Sequence, residues 1–362
     1  MFGVIHPGAM TPPDEMTAPQ TQRDRDAMAR ALELARLSPE VGRNPRVGCV
    51  LVHPDGQIVA EGYHHGAGEP HAEIEALNHA RAQGIDTTGL TAVVTLEPCN
   101  HEGLTGPCAV ALADAGIQRV VFAAEDPGAE SGGGADTLRG AGIDVEAGVL
   151  AAEAEALNVM WAFAIRHQRP FVTAKWAQSL DGRSAAADHS SQWITGDVSR
   201  QKVHAQRAAH GVIMVGTGTA LIDNPSLTAR DTDGSLYDHQ PHAVVVGMRE
   251  VPSDATVRDH PGGFRQIRSH DPAEALSQLF AEGYRSVYLE GGKTLMSAFV
   301  SADLVDEFHI TMGPLLLGGD QLALGDIGVE SMAQAKQLQM SGVETLGDDV
   351  WVVAHPMRMR KE

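Results

Sequence analysis

The sequence predicts an α/β fold divided into two domains. Apolar runs of strand length alternate with segments of helical spacing along most of the chain, the pattern of layered α/β units. At 362 residues the chain exceeds the usual size of one domain, and 43% hydrophobic residues suffice for two cores. A polar stretch ending in proline, Arg166-His-Gln-Arg-Pro170, interrupts the alternation and puts the boundary near residue 167. Residues 1–22, rich in Pro, Thr, Gln and Met, read as a flexible extension, 23–166 as the first domain and 167–362 as the second.

In the first domain Asp24 to Leu37 has helical spacing through Met28, Leu32 and Ala35. The strands Val47–Val52 and Gln57–Tyr63 are joined by the turn Pro54-Asp55-Gly56. A helix opened by His71 carries Ile74, Leu77 and Ala80 on one face. There follow a strand over Thr91–Leu96, a helix over Cys108–Ala115 with Gly116 at its end, and a strand over Arg119–Ala124. Gly128–Gly134 reads as a loop, Ile143–Val145 as a short strand and Ala151–Ile165 as one further helix. In the second domain, strands read at Phe171–Ala177, Gly211–Val215, Ala243–Val246, Ser286–Leu289, Glu307–Met312 and Val350–Ala354. Helices fit at Val198–Ala209, Pro272–Glu282 and Lys293–Ala302.

Composition excludes several classes. The formal net charge is −20 and aromatic residues are 4%, whereas nucleic-acid binders carry a basic footprint and stacking aromatics. A small nucleotide-like substrate is expected, with no nucleic-acid partner. No run approaches the ~20 apolar residues of a membrane span, and the N-terminus has no basic segment followed by an apolar one. Three cysteines suit a reducing cytoplasm better than a disulfide framework.

The chemistry is written in His71-Ala-Glu73, Glu97-Pro98-Cys99 and Cys108. One imidazole and two thiolates suit Zn²⁺ and leave its fourth tetrahedral position open for water. Zinc lowers the pKa of that water from ~15.7 to about 7, and Glu73 stands close enough to move protons without being a ligand. Nucleobase deaminases use this arrangement. Cys108 follows Pro107 at a helix N-terminus, which favours its thiolate. A structural zinc site closed by Cys49 or His101 is the competing expectation, with ordinary buried thiols as another.

The second half offers weaker signals. Glu290-Gly-Gly-Lys-Thr-Leu295 takes a strand through a Gly-Gly turn into a helix, and Gly216-Thr-Gly-Thr219 follows another strand; both suit a phosphate group. Asp181-Gly182 and Asp223-Asn224-Pro225 read as turns.

Taken together, the segments resemble the bifunctional riboflavin-biosynthesis deaminase/reductase family. The matching stretches are 44–50, 68–73 and 94–108 in the first half and 175–183, 191–195, 216–230 and 290–295 in the second. The resemblance runs from about residue 24 to the end, and the eight residues between Cys99 and Cys108 are the family's own spacing. It implies a cytidine-deaminase-like three-layer domain followed by a dihydrofolate-reductase-like domain that uses NADPH. By that resemblance Ala177, Trp193, Thr219, Asp223 and the run Gly292, Lys293, Thr294, Leu295, Met296, Ser297 and Ala298 contact the cofactor. Ser191, Arg207, Leu227, Arg230 and Glu290 line the substrate site, with both arginines suited to a phosphate. Lys175 and Thr195 fall in the same motifs. Val246–Glu250 lacks the family's polar turn, and Gly128–Ala135 departs from its Asp-Pro-Asn-Pro run.

The implied function is hydrolytic deamination of a phosphorylated pyrimidine followed by NADPH-dependent reduction of its ribosyl group, in a cytoplasmic homo-oligomer. The rival expectation is a nucleoside or tRNA-base zinc deaminase with a non-catalytic second domain.

Overall fold

A computed structural model of the chain describes residues 18–101 and 106–357. They form two compact units, one of residues 46–157 with the preceding helix, the other of 158–357 with the short segment 39–45. Among the described residues no helix is long and apolar enough to cross a membrane.

The first unit contains, in order, α1 (Ala18–Ala35), β1 (Gly48–Val52), β2 (Ile58–Tyr63), α2 (Ala72–Ala82), β3 (Thr91–Leu96), α3 (Cys108–Asp114), β4 (Arg119–Ala124), α4 (Gly134–Gly140), β5 (Asp144–Ala147) and α5 (Ala151–Leu157). Its sheet has the order β2-β1-β3-β4-β5. β1 is antiparallel to β2 and β3, while β3, β4 and β5 are parallel. β1 is buried along its length, as a strand covered on both faces must be.

Part of the expected extension is helical. Residues 1–17 lie outside the described residues, but 18–22 are the first turns of α1. Pro19 is tolerated there because a first-turn N–H needs no helical partner, and Gln20–Asp24 (3.2 Å) and Gln22–Asp26 (2.8 Å) pair one turn apart. Deeper in the helix, Asp24 is buried and takes both Nη atoms of Arg119, at 2.8 and 2.9 Å, which ties α1 to β4.

The second unit contains α6 (Val159–His167), β6 (Phe171–Ser179), α7 (Asp197–Ala208), β7 (Val212–Gly216), α8 (Thr217–Asp223), β8 (His242–Val246), β9 (Phe264–Ile267), α9 (Pro272–Ala281), β10 (Ser286–Leu289), α10 (Lys293–Ser301), β11 (Glu307–Gly313), β12 (Leu338–Leu346) and β13 (Asp349–Pro356). The eight strands run β12-β13-β11-β6-β10-β7-β8-β9, parallel from β11 to β9, with β13 and β12 antiparallel at one side. One face carries Val172, Ala174, Val212, Met214, Val287 and Leu289 against α9 and α10.

Where one helix is expected over 151–165 there are two. Asn158 leaves the helical region at φ −120°, ψ 20°, so α5 ends and α6 starts afresh. Phe163 of α6 then meets Phe171 of β6 edge-on at 5.3 Å, which puts α6 in the second unit.

Candidate zinc deaminase and reductase sites

Backbone contacts position the first site. A Cβ on Gly62 would lie 2.4 Å from the carbonyl oxygen of Ala72, so only glycine lets α2 sit this close to β2. That seats His71 as the N-cap of α2, with φ −68° and ψ 158°, and Glu73 in its first turn. Next to it, His64 is buried and hydrogen-bonded from Nδ1 to the Pro70 carbonyl at 3.0 Å, its ring 5.5 Å from that of His71.

Cys99 follows β3, and Cys108 is the first residue of α3. The Cys108 N–H donates to the Cys99 sulfur at 3.4 Å, and the Ala109 N–H to the Cys99 carbonyl at 3.2 Å. The loop before Cys99 is held from the other side. Glu97 accepts from the amides of Ala135 at 2.9 Å and Asp126 at 3.3 Å. A Cβ on Gly134 would stand 1.8 Å from the Pro98 oxygen. The expected loop at 128–134 therefore runs into α4, a helix whose start packs on the cysteine loop.

The sulfurs of Cys99 and Cys108 lie 3.5 and 3.3 Å from Nδ1 of His71. Tetrahedral zinc, with nitrogen at about 2.0 Å and sulfur at about 2.3 Å, requires N···S edges near 3.5 Å, so the trio fits the ion. Among the described residues these three side chains form the only such group, with their ligand atoms within 4.8 Å of one another. Neither Cys49 nor His101 closes the site: Cys49 lies in β1, and the His101 ring is 6.5 Å from that of His71. The closed structural site is thus set aside.

Electrostatics agree with a metal and a proton carrier. The Cys108 thiol, followed by His71, pulls the Cys99 thiol down to about 4, and the resulting thiolate together with burial pushes Cys108 up. One proton leaves this pair easily, and a divalent cation displaces the other. Burial pushes Glu73 up to about 7, in the range where a carboxyl exchanges protons at neutral pH. Burial and the nearby Glu73 charge push the Cys49 thiol well up, which leaves it inert.

In the second unit the candidate residues divide into two groups. At the carboxyl ends of the adjacent parallel strands β7 and β10, the starts of α8 and α10 meet. A Cβ on Gly292 would lie 3.6 Å from Thr219 Oγ1, one on Gly216 3.7 Å from Leu295, and one on Gly218 3.4 Å from Arg249. Glycines, helix amides and a guanidinium fit the phosphates of a dinucleotide. Lys293 and Thr294 are exposed there, but Met296 belongs to the core and Ser297 receives the Gly325 N–H at 2.9 Å. Trp193 is 67% exposed beneath the Arg200 guanidinium at 4.2 Å, Asp223 is exposed at the end of α8, and Ala177 is half-buried on β6.

The second group is a buried ion cluster. Arg207 grips Glu290 with Nε at 2.6 Å and Nη2 at 3.0 Å and donates from Nη1 to the Thr228 carbonyl at 3.0 Å. Lys175 Nζ is 3.7 Å from the same carboxylate. Arg230 Nε binds Thr228 Oγ1 at 3.1 Å, while the Leu227 side chain is buried in the core, which leaves only its backbone for a ligand. Ser191 is exposed. Burial would raise Glu290, but Arg207 and then Lys175 outweigh it and hold the carboxyl at about 2. Stability from this pairing is full above the ordinary carboxyl value of about 4.3 and is lost as pH falls toward 2. Glu290→Ala leaves two buried cations without their partner, a change that costs about 3–5 kcal/mol. Urea unfolding of the variant should show that loss; less than about 1 kcal/mol would contradict the cluster's role.

Its pairing with Glu290 gives Lys175 a place that its motif does not, joining segments far apart in sequence. Asp181 also does more than make a turn. It accepts from Ser179 Oγ at 2.5 Å and from the amides of Leu317 and Gly318 at 3.2 and 2.8 Å, anchoring the loop after β11. An Asp-Gly pair carries no sign of that.

Comparison with known proteins covers both halves of the chain. Residues 21–124 match the cytidine and deoxycytidylate deaminase zinc-binding region, and residues 170–352 the RibD C-terminal domain. The chain is 43% identical over 337 residues to riboflavin biosynthesis protein RibD of Mycobacterium tuberculosis, covering 92% of this chain and 98% of that one. It is 38% identical to RibD of Escherichia coli over 363 residues, covering 91% and 98% of the two chains. Its structure is similar to Acinetobacter baumannii RibD, with a TM-score of 0.82 at 35% identity over 93% of this chain and 100% of the other. The Thermotoga maritima diaminohydroxyphosphoribosylaminopyrimidine deaminase/5-amino-6-(5-phosphoribosylamino)uracil reductase gives 0.80 at 32% identity, over 93% and 99%. A deaminase with a non-catalytic second domain is not favoured, since the second half matches the reductase domain across its length. The chain belongs to the RibD family of riboflavin-biosynthesis proteins, with a zinc-binding deaminase domain followed by an NADPH-dependent reductase domain.

Proposed function

We propose that the chain carries out two consecutive steps on one phosphorylated pyrimidine. The first is hydrolysis of the 2-amino group of 2,5-diamino-6-(5-phosphoribosylamino)pyrimidin-4-one. The second is reduction of the product's ribosyl group to ribityl. The observation that carries the reading is the trio His71, Cys99 and Cys108 beside the buried Glu73.

When bound, zinc supplies Lewis-acid activation of a water molecule. Glu73 takes a proton from the attacking water and hands it to the ring nitrogen, then takes the second proton from the added hydroxyl and hands it to the departing amine, which leaves as ammonia. Burial suits this work because it brings the carboxyl near neutrality, and a bound divalent cation draws the value lower. In the second site, NADPH supplies a hydride to C1′ of the ribosyl group. Thr219, Gly292 and the start of α10 hold the cofactor, while Arg207, Arg230, Lys175 and Glu290 orient the sugar phosphate. Incubating the purified protein with the pyrimidine, with and without NADPH, tests both steps. Ammonia is expected in either case and NADPH oxidation only after it; neither signal would end the proposal.

Arg249 beside Gly218 and Arg268 close to it, donating to the Met248 carbonyl at 3.4 Å, suit a phosphorylated ribose better than a bare one. A charge-assisted contact contributes about 1.5–3 kcal/mol, so NADPH is expected to exceed NADH in kcat/KM by about tenfold or more. Equal efficiency with both would defeat the preference but not the reduction.

The reading includes a cytoplasmic homo-oligomer. Three buried, unbridged cysteines suit a reducing compartment. Met340 and Val343 are exposed on β12, an edge strand of the second sheet, which suits pairing with a second copy.

A further inference from the structure

The sheet face covered by α7 is polar along two adjacent rows. Ser199 of α7 donates to Asp349 at 2.6 Å, Val203 packs on Tyr288 and Trp351, and Arg207 binds Glu290. Beneath it, Thr173 of β6 is level with Tyr288 of β10 and Glu307 of β11, and Lys175 is level with His309. Residues two apart share a face, so Glu290, Lys175 and His309 make one row and Tyr288, Thr173 and Glu307 the next. On β13, the Phe308–Ala354 pairing puts His355 beyond Glu307.

Within these rows the hydrogen bonds have a direction. His210, just after α7, is satisfied at both nitrogens, by the Gln206 carbonyl at 2.7 Å and Thr173 Oγ1 at 3.0 Å. His309 is not. Its Nε2 binds Glu307 at 2.8 Å, whereas its Nδ1 is buried with no hydrogen-bond partner. The Tyr288 hydroxyl, Thr311 Oγ1 and Trp351 Nε1 are buried and unpartnered too. Their rings adjoin, His309 lying 4.9 Å from Trp351 and 5.9 Å from Tyr288. Buried polar groups of this number are normally bridged by internal water. On the outer side, Glu307 is 3.8 Å from His355, whose side chain is 42% exposed.

We propose that His309 is a proton relay for the reductase site, joining solvent, through His355 and Glu307, to Lys175 by way of water at its Nδ1. The inference rests on the reductase reading. Hydride addition at C1′ breaks the bond from C1′ to the ring oxygen, NADPH becomes NADP⁺, and the ring oxygen takes a proton. Each turnover thus consumes one proton inside a covered site. Lys175 is suited to give it, since burial lowers its affinity for the proton, with Glu290 opposing. A lysine beneath a helix then needs a route for replacement, and the second row supplies one. The charged and titratable groups around His309 are Glu307 on its own strand, Lys175 on β6, Tyr288 on β10 and Glu290 just after it, His355 on β13, and Arg207 and His210 from the α7 side.

His309→Asn and Glu307→Gln in the zinc-loaded full chain test the relay, with the deaminated intermediate as substrate. For His309→Asn, kcat for NADPH oxidation is expected to fall about 10- to 100-fold, with KM for NADPH and intermediate within about twofold. The solvent deuterium isotope effect on kcat should rise, and added imidazole should restore part of the rate. Glu307→Gln should move kcat and the isotope effect in the same direction. If His309→Asn cannot bind NADPH, the Glu307→Gln result decides. An unchanged isotope effect, or a loss carried by KM alone, marks a structural role and overturns the relay. A wild-type protein that oxidises no NADPH with the intermediate overturns the reductase reading instead.

Discussion

Glu73→Gln is expected to lower ammonia release by about 10²-fold or more while the protein keeps its zinc. The side chain keeps its size in its buried place on α2 and loses only the capacity to carry a proton, a capacity that typically contributes ~10²–10⁴-fold. In the unaltered protein, deamination should rise with pH as Glu73 ionises, along a limb at or below the value of about 7 that burial gives it. The cation's attraction accounts for the lower side of that range. The variant should lose the limb. It should still oxidise NADPH when supplied with the deaminated intermediate, because the residues assigned to reduction lie in the other unit. Loss of that oxidation in a folded variant would replace two sites by one composite site.

Cys99→Ser/Cys108→Ser should drop zinc from about one ion per chain to near none and abolish deamination. A serine hydroxyl is neither a thiolate nor easily ionised, so the imidazole of His71 would be left as the single ligand of the original set. The α3 amides that support Cys99 remain, which favours retention of the local fold. Cys49→Ser is the control: its sulfur is outside the ligand group and should leave metal and activity in place. Full zinc in the double variant, by metal analysis, would sink the assignment. Zinc loss in Cys49→Ser would reinstate the closed site.

The zinc trio was legible because each ligand sits in a short run whose context is also legible. Apolar 91–96 must be a strand, Pro107 opens a helix, and His71 precedes a helical repeat, so the three converge on one end of the sheet. Other features had no such local signal. α8 hides in a Thr/Gly-rich stretch, β9 is Phe-Arg-Gln-Ile with only its last residue buried, and β12 is mostly exposed, so its pattern follows no core. The break at Asn158 lies in a run of good helix formers, and the pull on α6 comes from Phe171, outside that run. Glu290 with Lys175 and Arg207 depends on three elements meeting, which periodicity does not encode.

His71 and Glu73 ride on one rigid helix, while Cys99 and Cys108 belong to the separate cradle formed by the start of α3 and the Pro98 loop. Each body is seated by backbone, α2 on β2 at Gly62 and the cysteine loop on α4 at Gly134, where no side chain can be trimmed or grown to retune the seat. A displacement of α2 as a body would carry ligand and base together, preserving their mutual geometry while changing the edges to both sulfurs. Metal capture and proton transfer are therefore mechanically geared: the first is sensitive to the spacing between the bodies, the second to the integrity of one of them. Positions that never touch the ion would then rank, in a scan of tolerated substitutions, beside those that bind it.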